Sequence, residues 1–244
     1  MSPMQQIFLG LGAVAKKTFV DDIFSTFLYE GTGSAKTVTT GIDQSGEGSL
    51  TWIKKRDGAV SHHLYDTVRG AGKGISCDLT SAEYTLNTRL SGFTSTGFTL
   101  GNNGAVNANG GDYTSWTFRK APGFFDIVAY TGNGSGSART LNHNLDAIPG
   151  FILVKKTSQS GTWTIYHRDL GNNGYLAFNN LGEQTSANTS INSVSSTQFT
   201  IGADNNDNNE TYIVYLWAGG ESTALTSRSV EFDASGDYLN TTTS

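Results

Sequence analysis

Two stretches of this 244-residue chain, Phe24-Ser-Thr-Phe-Leu-Tyr-Glu-Gly-Thr-Gly33 and Phe125-Asp-Ile-Val-Ala-Tyr-Thr-Gly-Asn-Gly134, carry Phe, Tyr, Gly and Gly at one spacing, 101 residues apart. The residues downstream of each copy match too. Phe151-Ile-Leu-Val-Lys-Lys156 corresponds to Leu50-Thr-Trp-Ile-Lys-Lys55 at the same offset, and Phe199-Thr-Ile-Gly202 to Phe98-Thr-Leu-Gly101. Tyr212 to Trp217 corresponds to Tyr113 to Phe118 at an offset of 99. The register holds in the apolar runs and slips in the Gly/Asn-rich turns. A duplicated β unit behaves this way, because a one-residue slip inside a strand would turn its core face outward.

The apolar runs are short, about five residues, and turn signals separate them every 8 to 12 residues, the pattern of a sandwich or barrel. Tyr113 to Phe118 alternates, with Tyr113, Ser115 and Thr117 on one face and Thr114, Trp116 and Phe118 on the other. Thirty glycines, three prolines and only 15 % charged residues leave little material for exposed helices, while 36 % hydrophobic residues suffice for a core. The fold class expected is therefore all-β: two tandem antiparallel β-sandwich, jelly-roll-like domains preceded by an N-terminal anchoring arm. The arm is residues 1–23, the repeats are 24–121 and 122–220, and 221–244 is a linker with the start of a further β domain. The apolar arm either packs back on the first repeat or docks into a partner. Its candidate docking residues are Ile7, Phe8, Leu9 and Leu11. Ser81 to Leu86 reads as a short strand or one helical turn, and Asn102 to Asp112 as a loop.

Net charge is −5, and Lys16-Lys17, Lys54-Lys55-Arg56 and Lys155-Lys156 are scattered, so no basic face for nucleic acid is expected. No run approaches the ~20 apolar residues of a membrane span. The single cysteine, Cys77, allows no intrachain disulfide and reads as a small buried or half-buried residue.

Chemistry is sparse. His62 and His63 are adjacent, so on a regular strand they point to opposite faces and cannot both bind one metal. His143 and His167 lack partners at metal-ligand spacing. Asp204-Asn-Asn-Asp-Asn-Asn-Glu210 has the alternating oxygens of a calcium loop, with Asp204, Asp207 and Glu210 as its carboxylates, but the same residues also serve turns. No nucleophile-elbow string occurs, and Gly132 to Ser137 has no helix behind it to bind phosphate. Trp52, Trp116, Trp163 and Trp217 read as core before they read as sugar platforms. The expectation is a protein that is not an enzyme and has no catalytic residues, cofactor or metal.

Trp52-Ile-Lys-Lys55, Leu64-Tyr-Asp-Thr-Val-Arg-Gly-Ala71, Trp116-Thr-Phe-Arg-Lys-Ala-Pro-Gly-Phe-Phe125, Tyr130-Thr-Gly-Asn-Gly134 and Val154-Lys-Lys156 resemble a repeated module in tail and other virion structural proteins of bacteriophages, notably cyanophages. The likeness runs from the arm to about Gly220. It implies a tail fibre or fibre-adaptor protein in the virion tail, docked through its N-terminal region to other tail or capsid proteins and assembled as a homotrimer. Ser229 to Leu239 resembles the opening strand pair of a laminin-G or concanavalin-like domain, so the chain is either a fragment of a longer fibre or ends on a hairpin added to a neighbouring sheet. Two rival readings are a carbohydrate-binding module for host surface glycans and a depolymerase.

Overall fold

A computed structural model of the chain describes residues 18–170, 174–176, 184–185 and 191–220. The docking candidates Ile7, Phe8, Leu9 and Leu11, and the strand–turn–strand from Ser229, lie outside the described residues. The first repeat forms β1 (Phe24–Glu30), β2 (Lys36–Thr39), β3 (Ser49–Lys55), β4 (His63–Asp66), β5 (Lys73–Ser76), β6 (Tyr84–Thr85), β7 (Leu90–Thr94), β8 (Gly97–Leu100) and β9 (Asp112–Arg119). The second forms β10 (Phe125–Thr131), β11 (Arg139–Asn142), β12 (Pro149–Lys156), β13 (Thr164–His167), β14 (Gly174–Tyr175), β15 (Gln184–Thr185), β16 (Ile191–Val194), β17 (Gln198–Ile201) and β18 (Thr211–Ala218). The fold is an all-β antiparallel sandwich.

The two repeats order their strands alike. In the first, a large sheet β1-β9-β3-β4-β5-β6 faces a small sheet β2-β8-β7; in the second, β10-β18-β12-β13 faces β11-β17-β16. Even an irregularity is copied. The pairing slips between Leu90 and Gly92 in one and between Ile191 and Ser193 in the other. Two expectations for short segments are refined. Ser81 to Leu86 contributes only the two residues of β6, and the Asn102 to Asp112 loop contains a one-turn helix (Gly104–Asn107), capped by the Asn103 side chain.

Each sandwich has its own interior. Tyr29, Val38, Ile53, Tyr65, Leu90 and Phe98 fill the first; Tyr130, Leu145, Ile152, Val154, Phe199 and Leu216 fill the second. A third apolar cluster belongs to neither alone. Leu50, Leu64, Ile75 and Cys77 from the first repeat meet Phe125, Ile127, Leu153, Trp163, Ile165, Ile213 and Tyr215 from the second. The large sheets therefore pack on each other, and the molecule is four layers deep: small, large, large, small. This changes the meaning of the alternation in β3 and β9. Leu50 and Trp52 point into the junction while Thr51 and Ile53 point into the sandwich, so neither face of the strand is a free outer face.

Candidate functional site

The repeated Tyr-x-Gly-x-Gly string builds the same corner twice. Tyr29 stacks on its cross-strand partner Tyr113 with ring centroids 5.1 Å apart, and Tyr130 stacks on Tyr212 at 4.8 Å. The Tyr29 hydroxyl donates to the carbonyl of Val106 at 2.8 Å, and that of Tyr130 to the carbonyl of Asn205 at 2.6 Å. Burial, with the facing tyrosine, holds both phenols far above their ordinary pKa. A β-carbon on Gly31 would strike the carbonyl oxygen of Ala108, and one on Gly132 that of Asp207, which is why both are glycine. Asn107 and Asn206 close the corners. Each carboxamide oxygen accepts from a backbone N–H, of Thr32 or Asn133, and each amide donates across the loop, to the carbonyl of Ser34 or Ser135. Neither asparagine stands out from the Asn-rich loops in which it lies.

This corner absorbs the calcium-like string. Asn205 and Asn206 serve the tyrosine corner, and the Asp207 backbone N–H donates to the Tyr212 hydroxyl. The Asp207 carboxylate pairs with Lys156, whereas Glu210 accepts from Ser158 and Gln159. Those two carboxylates are engaged on separate partners. No group of three or more potential metal ligands stands together among the described residues. The histidines are also separated. His62 accepts from the Trp52 indole N–H at 3.0 Å; His143 accepts from the Leu145 backbone N–H at 3.1 Å; His167 accepts from that of Asp169 at 3.3 Å.

His63, at the start of β4, is 3 % exposed. Its Nδ1 lies 3.0 Å from the Tyr84 hydroxyl and 3.3 Å from the Arg89 guanidinium, which itself sits 4.4 Å from the Tyr84 ring centroid. Burial, then Arg89, lowers its pKa to about 4. Its counterpart in the second repeat is Thr164, bonded to Asn205.

The junction carries a polar network inside its apolar cluster. Asp66, fully buried, accepts from Arg69 Nε at 2.5 Å and from the Tyr215 hydroxyl at 2.7 Å. Arg69 also donates to Glu83 at 3.1 Å and to the Leu64 carbonyl. Around it the segment after β5 reaches over the second repeat. Trp163 Nε1 donates to the Leu79 carbonyl, and the backbone N–H of Gly161 and Lys155 Nζ donate to the Thr80 carbonyl. The Glu83 backbone N–H donates to the Thr157 carbonyl. Lys155 is fully buried, and desolvation brings its pKa down to about 8. Cys77 is buried in the same cluster, and burial pushes its thiol up to about 12. Trp163 is buried, and Trp52 and Trp217 pack half-buried against the junction.

The stretch that matches a known family spans both repeats without a break. Residues 20–227 match the family described as a domain of unknown function, DUF7483. The chain belongs to that family. The DUF7483 unit thus takes in the duplication, the Asp66–Arg69–Tyr215 network and both corners together. No curated protein and no solved structure matches the chain. Among the described residues of this DUF7483 chain no helix is long and apolar enough to cross a membrane.

Proposed function

We propose that the protein is a virion structural component of a bacteriophage, a tail fibre or fibre-adaptor element that sets distance and orientation and performs no chemical step. The observation that carries the reading is the junction. Two sandwiches joined by a shared apolar cluster and a buried Arg–Asp–Tyr network bend little against each other, which suits a spacer under load. The strings that resemble phage tail proteins supply much of this junction: Leu64, Asp66 and Arg69 come from one, and Phe118, Phe124 and Phe125 from another. On this reading the arm, through Ile7, Phe8, Leu9 and Leu11, docks on other tail or capsid proteins, and three copies assemble about one axis. Deleting residues 2–20 is then expected to abolish incorporation into particles while leaving the thermal transition of the sandwiches in place. Normal incorporation of the truncated protein refutes the reading.

A second reading, recognition of a host-surface glycan, is favoured by one specific feature, a polar cleft of about 480 Å³ at the end of the first sandwich, lined by Asp22, Asp43, Glu47, Arg119 and Lys120 among others.

A further inference from the structure

Residues 77–83 form a strap that crosses from the first repeat onto the second. The strap leaves β5 at Cys77, whose backbone N–H donates to the His62 carbonyl at 3.2 Å. It returns to the large sheet at β6, where only Tyr84 and Thr85 pair, with Gly74 and Lys73. Between those points it is held to the second repeat through the Leu79 and Thr80 carbonyls and the Glu83 N–H. Asp78, Leu79, Thr80 and Ser81 are exposed. A short exposed segment that ends on a two-residue strand belongs to the low-stability end of a fold.

Tyr84 seats that strand. Its ring lies against Gly74, where a β-carbon would strike it. Its hydroxyl is 3.0 Å from the Tyr65 hydroxyl and 3.0 Å from His63 Nδ1. Arg89, at 3.3 Å, and Ser76 Oγ, at 3.4 Å, converge on the same ring nitrogen. To accept there, His63 must be neutral with its proton on Nε2, and Nε2 has no hydrogen-bond partner among the described residues. The charged groups around the ring are Arg89 ahead of β7, Lys54 on β3, the neighbouring His62 and Asp78 on the strap; the phenols of Tyr65 and Tyr84 are its other titratable neighbours. The Asp78 carboxylate is engaged by the His62 backbone N–H at 3.2 Å. A second proton on His63 would therefore put an N–H against the Arg89 guanidinium, donor to donor and cation to cation, where water does not reach.

We propose that His63 is an acid-operated latch: its protonation unseats Tyr84 and lets the strap lift from the second repeat while the two sandwiches stay folded. In the closed strap the ring stays neutral down to about pH 4; once in water it takes up its proton at about 6.5. The closed value is the lower one, so closure is complete above pH 6.5 and is lost as pH falls towards 4. The opened fraction is expected to rise roughly 50- to 100-fold from pH 7.5 to 4.5. Thr164, the counterpart of His63, has no charge to take up, so the latch belongs to the first repeat. It does not depend on where a virion carries the protein, and its failure would leave the scaffold reading standing.

Cys77, the single thiol of the chain, is buried where the strap begins and reports its opening. Its rate of reaction with dithiodipyridine in the full chain, divided by the rate in the urea-unfolded chain at the same pH, measures the opened fraction. Between pH 7.5 and 4.5 this ratio is expected to rise roughly 50- to 100-fold in the parent and less than about fivefold in His63→Thr. Arg89→Met, which keeps the imidazole and removes the facing cation, is expected to give a smaller rise than the parent. At pH 4.5 the opened fraction is expected to exceed, by at least about tenfold, the unfolded fraction extrapolated from urea titration at that pH. An opened fraction equal to that unfolded fraction would mean that the whole molecule unfolds and would overturn the latch. So would a ratio that does not change with pH, or the same rise in His63→Thr as in the parent.

Discussion

Tyr29 and Tyr130 hold their hydroxyls on equivalent carbonyls, and each stacks on the first tyrosine of its closing strand. This was the most legible part of the molecule, because Tyr and Gly recur in the sequence wherever the corner needs a ring or lacks room for a β-carbon. Asn107 and Asn206 were not legible, since one asparagine among many carries no mark of its task. Two single residues carry pH predictions. His63 has a folded pKa of about 4 against about 6.5 unfolded. The unfolded chain therefore takes up the proton first, so the stability that neutral His63 permits is complete above pH 6.5 and is lost as pH falls towards 4. Urea titrations at pH 7.5 and 4.5 are expected to show a smaller loss in His63→Thr, which imitates Thr164, than in the parent, by roughly 2–3 kcal/mol. Lys155 has the same sign at the other end. Its folded pKa of about 8 lies below its unfolded value of about 10.4, so the parent gains stability as pH rises from 8 to 10.5. Lys155→Met is expected to be more stable than the parent at pH 7 and to lose that gain; equal slopes from pH 8 to 10.5 in parent and variant would contradict it.

Among the elements, β3, β4 and β9 are buried on both faces because a second large sheet lies against the first. Strict alternation in Tyr113 to Phe118 was visible in the sequence, but alternation alone does not say whether the second face meets water or another sheet. Trp116, Phe118 and Trp52 on that face were the available hint, since three aromatics on one outer face are unusual without a cover. The network that pins the junction was beyond sequence reading, because Asp66 and Tyr215 are 149 residues apart. Arg69→Met leaves Asp66 buried without its cation and is expected to cost about 3–5 kcal/mol. Tyr215→Phe removes one donor and costs about 1–3 kcal/mol. Denaturant midpoints of the two variants check the order; a Tyr215→Phe loss equal to or larger than that of Arg69→Met would mean that the ion pair is not what the junction rests on.

At the scale of the whole molecule, duplication produced one body. The copies kept strand order, corner and bulge, and diverged where they meet and at one end of the interior. Aliphatic residues fill the second sandwich at Ile152, Val214 and Leu216, whereas Thr51, Ser115 and Thr117 leave the first one polar. Separating the repeats would expose Leu50, Leu64 and Ile75 on one side and Phe125, Leu153, Trp163 and Ile213 on the other. At roughly 1.5–3 kcal/mol for each large apolar side chain, that loss is on the order of 10 kcal/mol, comparable to the whole stability of an ordinary domain. Calorimetry of the full chain tests this most directly. A single endotherm is expected, with calorimetric and van't Hoff enthalpies that agree, moved as one peak by Arg69→Met. Two resolved transitions, with only one of them shifted by that substitution, would show that the repeats fold independently and would contradict it.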